Sequence, residues 1–257
     1  MVRYPQSLSK VCVIHYHGLP ITPATAAAEV VAGGHPFVSF AHQMQVGLAL
    51  DMCQSFALDN GAFSAWSSGK PILEWQPFYD WVSSLKRHPG FDWAVIPDVI
   101  DGSESDNDAL LREWPFPKWV GAPVWHMHES LDRLQRLCAD WPRVCIGSSG
   151  QYRKVGSGLW WDRMTEAMNL ITDDQGLPVC KLHGLRMLDP KVFCKLPLSS
   201  ADSTNIGRNI GIDKKWTGSY QPPTKEARAK MMRLRIESVN GASEWQRAEN
   251  EIDYFRG

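Results

Sequence analysis

The chain has 257 residues, 44% of them apolar, and a formal net charge of −1. That is enough to bury a barrel-sized core, and it excludes both a disordered chain and one that attracts polyanions through its overall field. No C-x-x-C pair joins Cys12, Cys53, Cys138, Cys145, Cys180 and Cys194, no apolar run is long enough for a bilayer, and no signal-peptide pattern opens the chain; buried thiols in a reducing, cytoplasmic compartment with no membrane contact are expected.

Val11–Tyr16 predicts a first strand ending at His17-Gly18, and Thr22-Pro23 caps a helix over Ala24–Ala32 closed by Gly33-Gly34. Pro36–Phe40 is the second strand, tipped by Ala41-His42. A helix through Val46–Gln54 leads to the third, Phe56-Ala57-Leu58, which stops abruptly at Asp59-Asn60-Gly61. A short apolar run ending this way delivers a carboxylate to its own tip. Gly61 permits a sharp turn or a close approach to a ligand, and Phe63 and Trp66 add apolar surface beyond it.

Pro71–Lys86 predicts an amphipathic helix. Asp92–Ile96 is the fourth strand, tipped by Pro97-Asp98, and Asp106–Trp114 a helix. Pro123–His126 is the fifth strand, with His128 just past it, and Ser130–Asp140 repeats near 3.6 residues as a helix does. Val144–Ile146 is the sixth strand, tipped by Gly147-Ser148, and Trp160–Ile171 is helical. Val179–Leu182 is the seventh strand, tipped by His183-Gly184. Pro190–Lys195 is a short helix, and Leu198–Ala201 the eighth strand, tipped by Asp202.

Eight apolar strands alternating with helices, each ending in Asp, His, Gly or Ser, predict one α/β domain: a (β/α)₈ TIM barrel over about residues 8–215. A helical extension over about 222–257 follows, with helices at Lys225–Val239 and Ser243–Phe255.

In such a barrel Asp59, Asp98 and Asp202 converge with His126 or His128. Three carboxylates in one mouth suit attack at an electron-poor carbon with a second carboxyl moving a proton. Each also has a local reading: Asp59 and Asp98 as loop caps, Asp202 as a helix N-cap. Asp101, Glu104, Asp106 and Asp108 read as a solvated acidic loop. A rival constellation is a metal-dependent amidohydrolase-type barrel using His15, His17, His126, His128, His183 and Asp202. It lacks a histidine on strand six and a lysine on strand four.

Between Ile206 and Arg235, eight cations face only Asp213 and Glu226, a local net of +6. Arg208, Lys214 and Lys215, with Trp216 and Tyr220 interleaved, suit a nucleic-acid partner; a solvated amphipathic helix is the structural alternative.

Leu58-Asp59-Asn60-Gly61-Ala62-Phe63 is similar to the Asp-Ser-Gly-Gly-Phe motif of the queuine and archaeosine tRNA-guanine transglycosylases. Val144–Gly147, Lys181-Leu182-His183-Gly184-Leu185, and Ala201–Asn205 followed by Arg208-Asn209 resemble that family's later strand tips, in order. The resemblance implies replacement of guanine by a 7-deazaguanine through a covalent aspartyl-nucleotide. Asp202 matches the nucleophile and Asp59 the acid/base group, whose apolar flanks should raise its pKa. Asp98 matches the reader of the guanine-like edge and Gly147 a backbone contact to O6; Asn60, Gly61, Ser148, His183 and Gly184 belong to the same base site.

His126 stands where the family has glutamine. No cysteine follows Cys194, so the family's zinc motif is absent, and neither metal nor cofactor is expected. In its short length the chain resembles the compact phage-type relatives that insert bases such as 7-cyano-7-deazaguanine into DNA inside a bacterial host. A tRNA-type enzyme and a non-catalytic nucleic-acid-binding homologue are the alternatives.

Overall fold

Eight staves close into a barrel in a computed structural model that describes residues 13–247. The strands are β1 (Ile14–Gly18), β2 (His35–Ser39), β3 (Phe56–Asp59), β4 (Phe91–Val95), β5 (Gly121–Ala122), β6 (Val124–His126), β7 (Arg143–Gly147), β8 (Lys181–Gly184) and β9 (Ser200–Ser203). All pair in parallel, in the order β5-β4-β3-β2-β1-β9-β8-β7-β6. Pro123 has no N–H for the ladder and splits one stave into β5, which pairs with β4, and β6, which pairs with β7. The backbone still runs through. Ala122 O accepts from Ile96 N and Pro123 O from Cys145 N, at 3.0 and 2.8 Å. Counted as one stave, β5–β6 joins the two ends of the sheet, and the fold is a (β/α)₈ barrel.

Its helices are α1 (Ala24–Val31), α2 (Val46–Met52), α3 (Ala62–Ser67), α4 (Gln76–Leu85), α5 (Glu104–Glu113), α6 (Leu131–Asp140), α7 (Gly158–Ile171), α8 (Pro190–Phe193), α9 (Asn205–Asn209) and α10 (Lys225–Glu237). The main apolar core lies between this outer layer and the staves. A smaller inner core of Tyr16, Phe37, Ala57, Trp93, Val95, Ala122, Val124 and Cys145 fills the barrel. At the N-terminal end the Tyr16 hydroxyl donates to Asp92 at 2.5 Å, and Arg143 reaches the same carboxylate at 3.3 Å while lying over Trp93. These side chains plug the bottom, and the open cavity lies at the C-terminal end.

Several boundaries differ from expectation. The seventh strand begins two residues late, because a Thr172–Pro178 bridge and the Val179 N to Ile171 O bond tie that stretch to the end of α7. The eighth includes Asp202 within its ladder rather than beyond it. Helix α3, which follows the Asp59 turn directly, is an addition, and the helix predicted from Pro71 starts at Gln76. Ser243–Arg247 is not helical. The rest of that predicted helix, Val11-Cys12 and the first residues of the predicted domain lie outside the described residues.

Candidate functional site

At the β3 tip, Asp59 Oδ2 accepts from Ser39 Oγ on β2 at 2.7 Å and from Gly61 N at 3.2 Å. Gly61 is left-handed (φ 80°), which favours glycine, and a Cβ there would also meet Ala41 N at 3.0 Å. Asp59 keeps a partial opening onto the cavity but is otherwise enclosed by protein. Desolvation lifts its pKa from 3.8 to about 6; the Ser39 bond opposes this, and the charges of Asp202 and Asp98 add to it. Asn60 faces the other way. Its amide donates to Ile96 O at 2.8 Å and Asp98 Oδ1 at 2.6 Å, while its carbonyl oxygen accepts Ala62 N at the start of α3.

Asp98 is buried, and His126 Nε2 sits 2.8 Å from its other oxygen, off the line of a straight hydrogen bond. A buried polar network holds this pair. Glu129 accepts from His126 N at 2.8 Å, from Arg133 Nη1 at 2.7 Å and from Asn107 Nδ2 at 2.9 Å; Asn107 Oδ1 accepts in turn from Val99 N. Arg133, 1% exposed, also donates to Val124 O and Asp108. The acidic loop is therefore not merely solvated. Asp108 binds Arg133, Glu104 accepts Ser130 N, Asp106 completes a capping box with Ser103, and Asp101 accepts the Trp66 indole.

Asp202 ends β9. Its Oδ1 accepts from Arg186 N at 2.8 Å and from His183 Nε2 at 3.3 Å, and its Oδ2 takes no bond among the described residues. Burial lowers the pKa of His183 against the opposing pull of Asp202; because a carboxylate only accepts, Nε2–H donates to Asp202, and Nδ1 lies 2.8 Å from Ser200 Oγ. Arg186 gives this N–H from a left-handed turn (φ 59°) and is the one non-glycine with positive φ among the described residues. Its guanidinium lies 4.2 Å over the Phe63 ring and donates to Ser148 O at 2.9 Å.

These groups surround a cavity of about 950 Å³, measured out to its open mouth. Asp59, Asn60, Asp98, His126, Gly147, Ser148, Asp202 and Arg208 all line it, with apolar wall from Phe37, Phe63, Val95, Ile100 and Leu185. His183 lies beneath Asp202 as its support. Gly61 and Gly184 serve the backbone instead: a Cβ on Gly184 would meet Leu198 and Met187 at 2.9 Å. His128 stays off the wall, bonding Ser149 Oγ at 2.7 Å and stacking on His126. Arg186 escaped the sequence reading; its one sequence signal is a cation two residues past Gly184.

Two expectations need correction. Trp216 is 3% exposed, with Arg235 stacked on its ring, so it presents no face for a base. An exposed aromatic next to the cavity wall is Trp66, 45% exposed and tilted against the lining Phe63. The +6 segment is also largely occupied. Arg228 pairs with Asp213 and Arg233 with Glu237, while Lys230 to Glu29 and Arg233 to Ala32 O dock α10 on α1. Lys214 is exposed and not part of the cavity wall, in the turn Asp213–Trp216 that also contains Lys215. Arg208 remains at the cavity.

The metal-barrel reading requires His15 and His17 beside Asp202. Register pairs Tyr16, not either histidine, with Asp202, so both imidazoles point outward. His15 Nε2 donates to Val239 O, and His17 Nε2 lies 3.1 Å from Glu237. Among the described residues no three His, Cys, Asp or Glu side chains group as a metal site, and no helix is long and apolar enough to cross a membrane.

Fold and site together define a (β/α)₈ barrel with three carboxylates facing one cavity at the strand C-termini. No protein-family model matches the chain, and no curated protein matches it significantly. Among solved structures it is similar to a mutant tryptophan synthase α-subunit from the hyperthermophile Pyrococcus furiosus: 10% identity, 89% of this chain and 97% of that one covered, TM-score 0.50. A second mutant of that subunit gives 9% identity, 90% and 97% coverage and TM-score 0.46. At such identity the likeness shows the barrel alone.

Proposed function

We propose that this barrel exchanges bases in nucleic acid, replacing guanine with a 7-deazaguanine, with DNA as the polymer. One observation carries the reading: two carboxylates on the same cavity are prepared for different work. Asp202 has one oxygen tied down and the other unbonded, as a nucleophile needs. Asp59 is lifted to about 6, where a carboxyl can both give and take a proton near neutral pH.

Asp202 Oδ2 attacks C1′ of the nucleotide, the C1′–N9 bond breaks, and Asp59 gives its proton to the departing guanine. The incoming 7-deazaguanine then returns its N9 proton to Asp59, N9 attacks C1′, and Asp202 is released. Atoms and charge balance over the two displacements. Asp98, steered by Asn60 and His126, accepts from the N–H edge of the base, and the Gly147-Ser148 backbone meets the O6 side. Phe37, Phe63 and Val95 supply the apolar wall for a flat ring. A base within a duplex hides C1′, so the nucleotide is flipped out or single-stranded.

The test incubates the protein with labelled guanine or 7-cyano-7-deazaguanine, and with DNA and tRNA separately. Label should enter DNA, and denaturing gels should show an adduct mapping to Asp202 that is lost in Asp202→Asn. An adduct mapping to Asp59, or one surviving in Asp202→Asn, overturns the role assignment. Label entering tRNA alone moves the substrate, and label entering neither polymer removes the reaction.

A further inference from the structure

Arg186 and Arg208 stand above Asp202, in the segments that follow β8 and β9. Arg208 lines the cavity, and its guanidinium makes no hydrogen bond or ion pair with any described residue. Arg186 gives one N–H to Ser148 O and its π-face to Phe63, which leaves most of its five-donor fork without an acceptor among the described residues. The two charges act on each other. Desolvation is the larger cause that lowers the pKa of Arg186, Asp202 opposes it, and Arg208 lowers it further.

The charge of Asp202 offsets this repulsion from below, but no carboxylate there takes a hydrogen bond from either guanidinium. Asp202 receives the Arg186 amide and His183, Asp59 receives Ser39 and Gly61, and neither accepts from a guanidinium. Two arginines that repel each other at a cavity mouth are an arrangement awaiting an anion. The left-handed turn at Arg186 links that mouth to the floor, since one residue orients Asp202 with its amide and aims a cation at the rim with its side chain.

We propose that Arg186 and Arg208 form a phosphate subsite gripping the phosphodiester beside the nucleoside held in the cavity. This rests on the nucleic-acid reading above and narrows it: the substrate is a nucleotide within a strand, held by one particular linkage, and not a free nucleoside. Because both arginines belong to the segments that flank Asp202, the phosphate they hold adjoins the sugar whose C1′ faces Asp202. Arginine suits the task, since its planar fork binds two phosphate oxygens at once.

The experiment uses a fluorescent single-stranded oligodeoxynucleotide with one guanosine, and a series in which each nearby linkage in turn is an uncharged methylphosphonate. Dissociation constants are measured by anisotropy for the wild type, Arg186→Gln and Arg208→Gln, with circular dichroism melts to check folding. Arg208 is exposed, so its variant keeps the test valid if Arg186→Gln fails to fold. In the wild type, neutralising one linkage next to the guanosine should weaken binding about tenfold, the worth of a charged hydrogen bond. In either variant the same change should weaken it by only about threefold, because one of the two partners is already gone. Equal losses in wild type and variants, no sensitive linkage, or no binding of the oligonucleotide overturns the subsite. Guanine exchange into the same strand is followed in parallel. A coupled linkage without exchange keeps the subsite and removes the reaction, and exchange without coupling does the reverse.

Discussion

Replacing Asp59 with asparagine should stabilise the protein at pH 8, and the gain should disappear in acid. Burial lifts the Asp59 carboxyl from 3.8 to about 6. At 1.36 kcal/mol per unit, keeping it ionised in the folded state costs about 3 kcal/mol relative to the unfolded chain. The folded pKa is the higher one, so the folded state binds the proton more tightly. Its contribution is fully present below pH 3.8, declines as pH rises through 6, and is gone above that.

Asparagine has the same shape and no charge. Its carbonyl oxygen can still accept from Ser39 Oγ and Gly61 N, although neutral bonds are weaker than charged ones by up to about 1 kcal/mol each. The net gain at pH 8 is then about 1–2 kcal/mol, or roughly 2–8 °C in Tm for a chain of this size. Urea unfolding of wild type and Asp59→Asn at pH 4, 6 and 8 measures it. The curves should converge at pH 4 and separate at pH 8, with the variant the more stable. A less stable variant at pH 8, or an advantage of equal size at pH 4, would show that the desolvation cost is absent. The proton-transfer role would lose its physical basis with it.

Further outcomes follow from burial. Trp216→Ala should destabilise the fold by about 3–5 kcal/mol, as loss of a buried indole does. Trp66→Ala should leave the melting temperature nearly unchanged but weaken oligonucleotide binding by about 1–3 kcal/mol, the worth of one base–aromatic stack; melts and anisotropy on both variants separate the two roles, and the reverse pattern would restore Trp216 as the stacking residue. Arg133→Ala leaves the buried Glu129 carboxyl without its cation, at a cost of about 3–5 kcal/mol. Adding Glu129→Gln should recover part of that in a thermal melt, and no recovery would mean that packing, not charge, is what Arg133 supplies.

The three carboxylates were legible in the sequence because each is a local event. In Phe56-Ala57-Leu58-Asp59, Pro97-Asp98 and Ser200-Ala201-Asp202, a buried run stops at an acid, and a barrel gathers its strand tips at one end. The raised pKa of Asp59 was legible for the same reason, since its flanking residues are apolar.

The facing of β1 was not. Both sides of a barrel stave are buried, so Ile14-His15-Tyr16-His17 carries no polar alternation to say which residues point inward. Only the register with β9 and the docking of α10 put Tyr16 inside and the two histidines outside. The basic segment misled in the same way. Charge can be counted along a sequence, but whether a cation is free depends on carboxylates and carbonyls supplied from α1 and the loop before α10. Arg186 is the sharpest case. Its part in the site comes from a left-handed turn that its side chain does not favour, a phenyl ring from the first turn of α3 and a carbonyl from the β7 tip. A strand tip is set by neighbours in sequence, whereas the partners of a long side chain are chosen by how distant segments pack, and no local pattern records that choice.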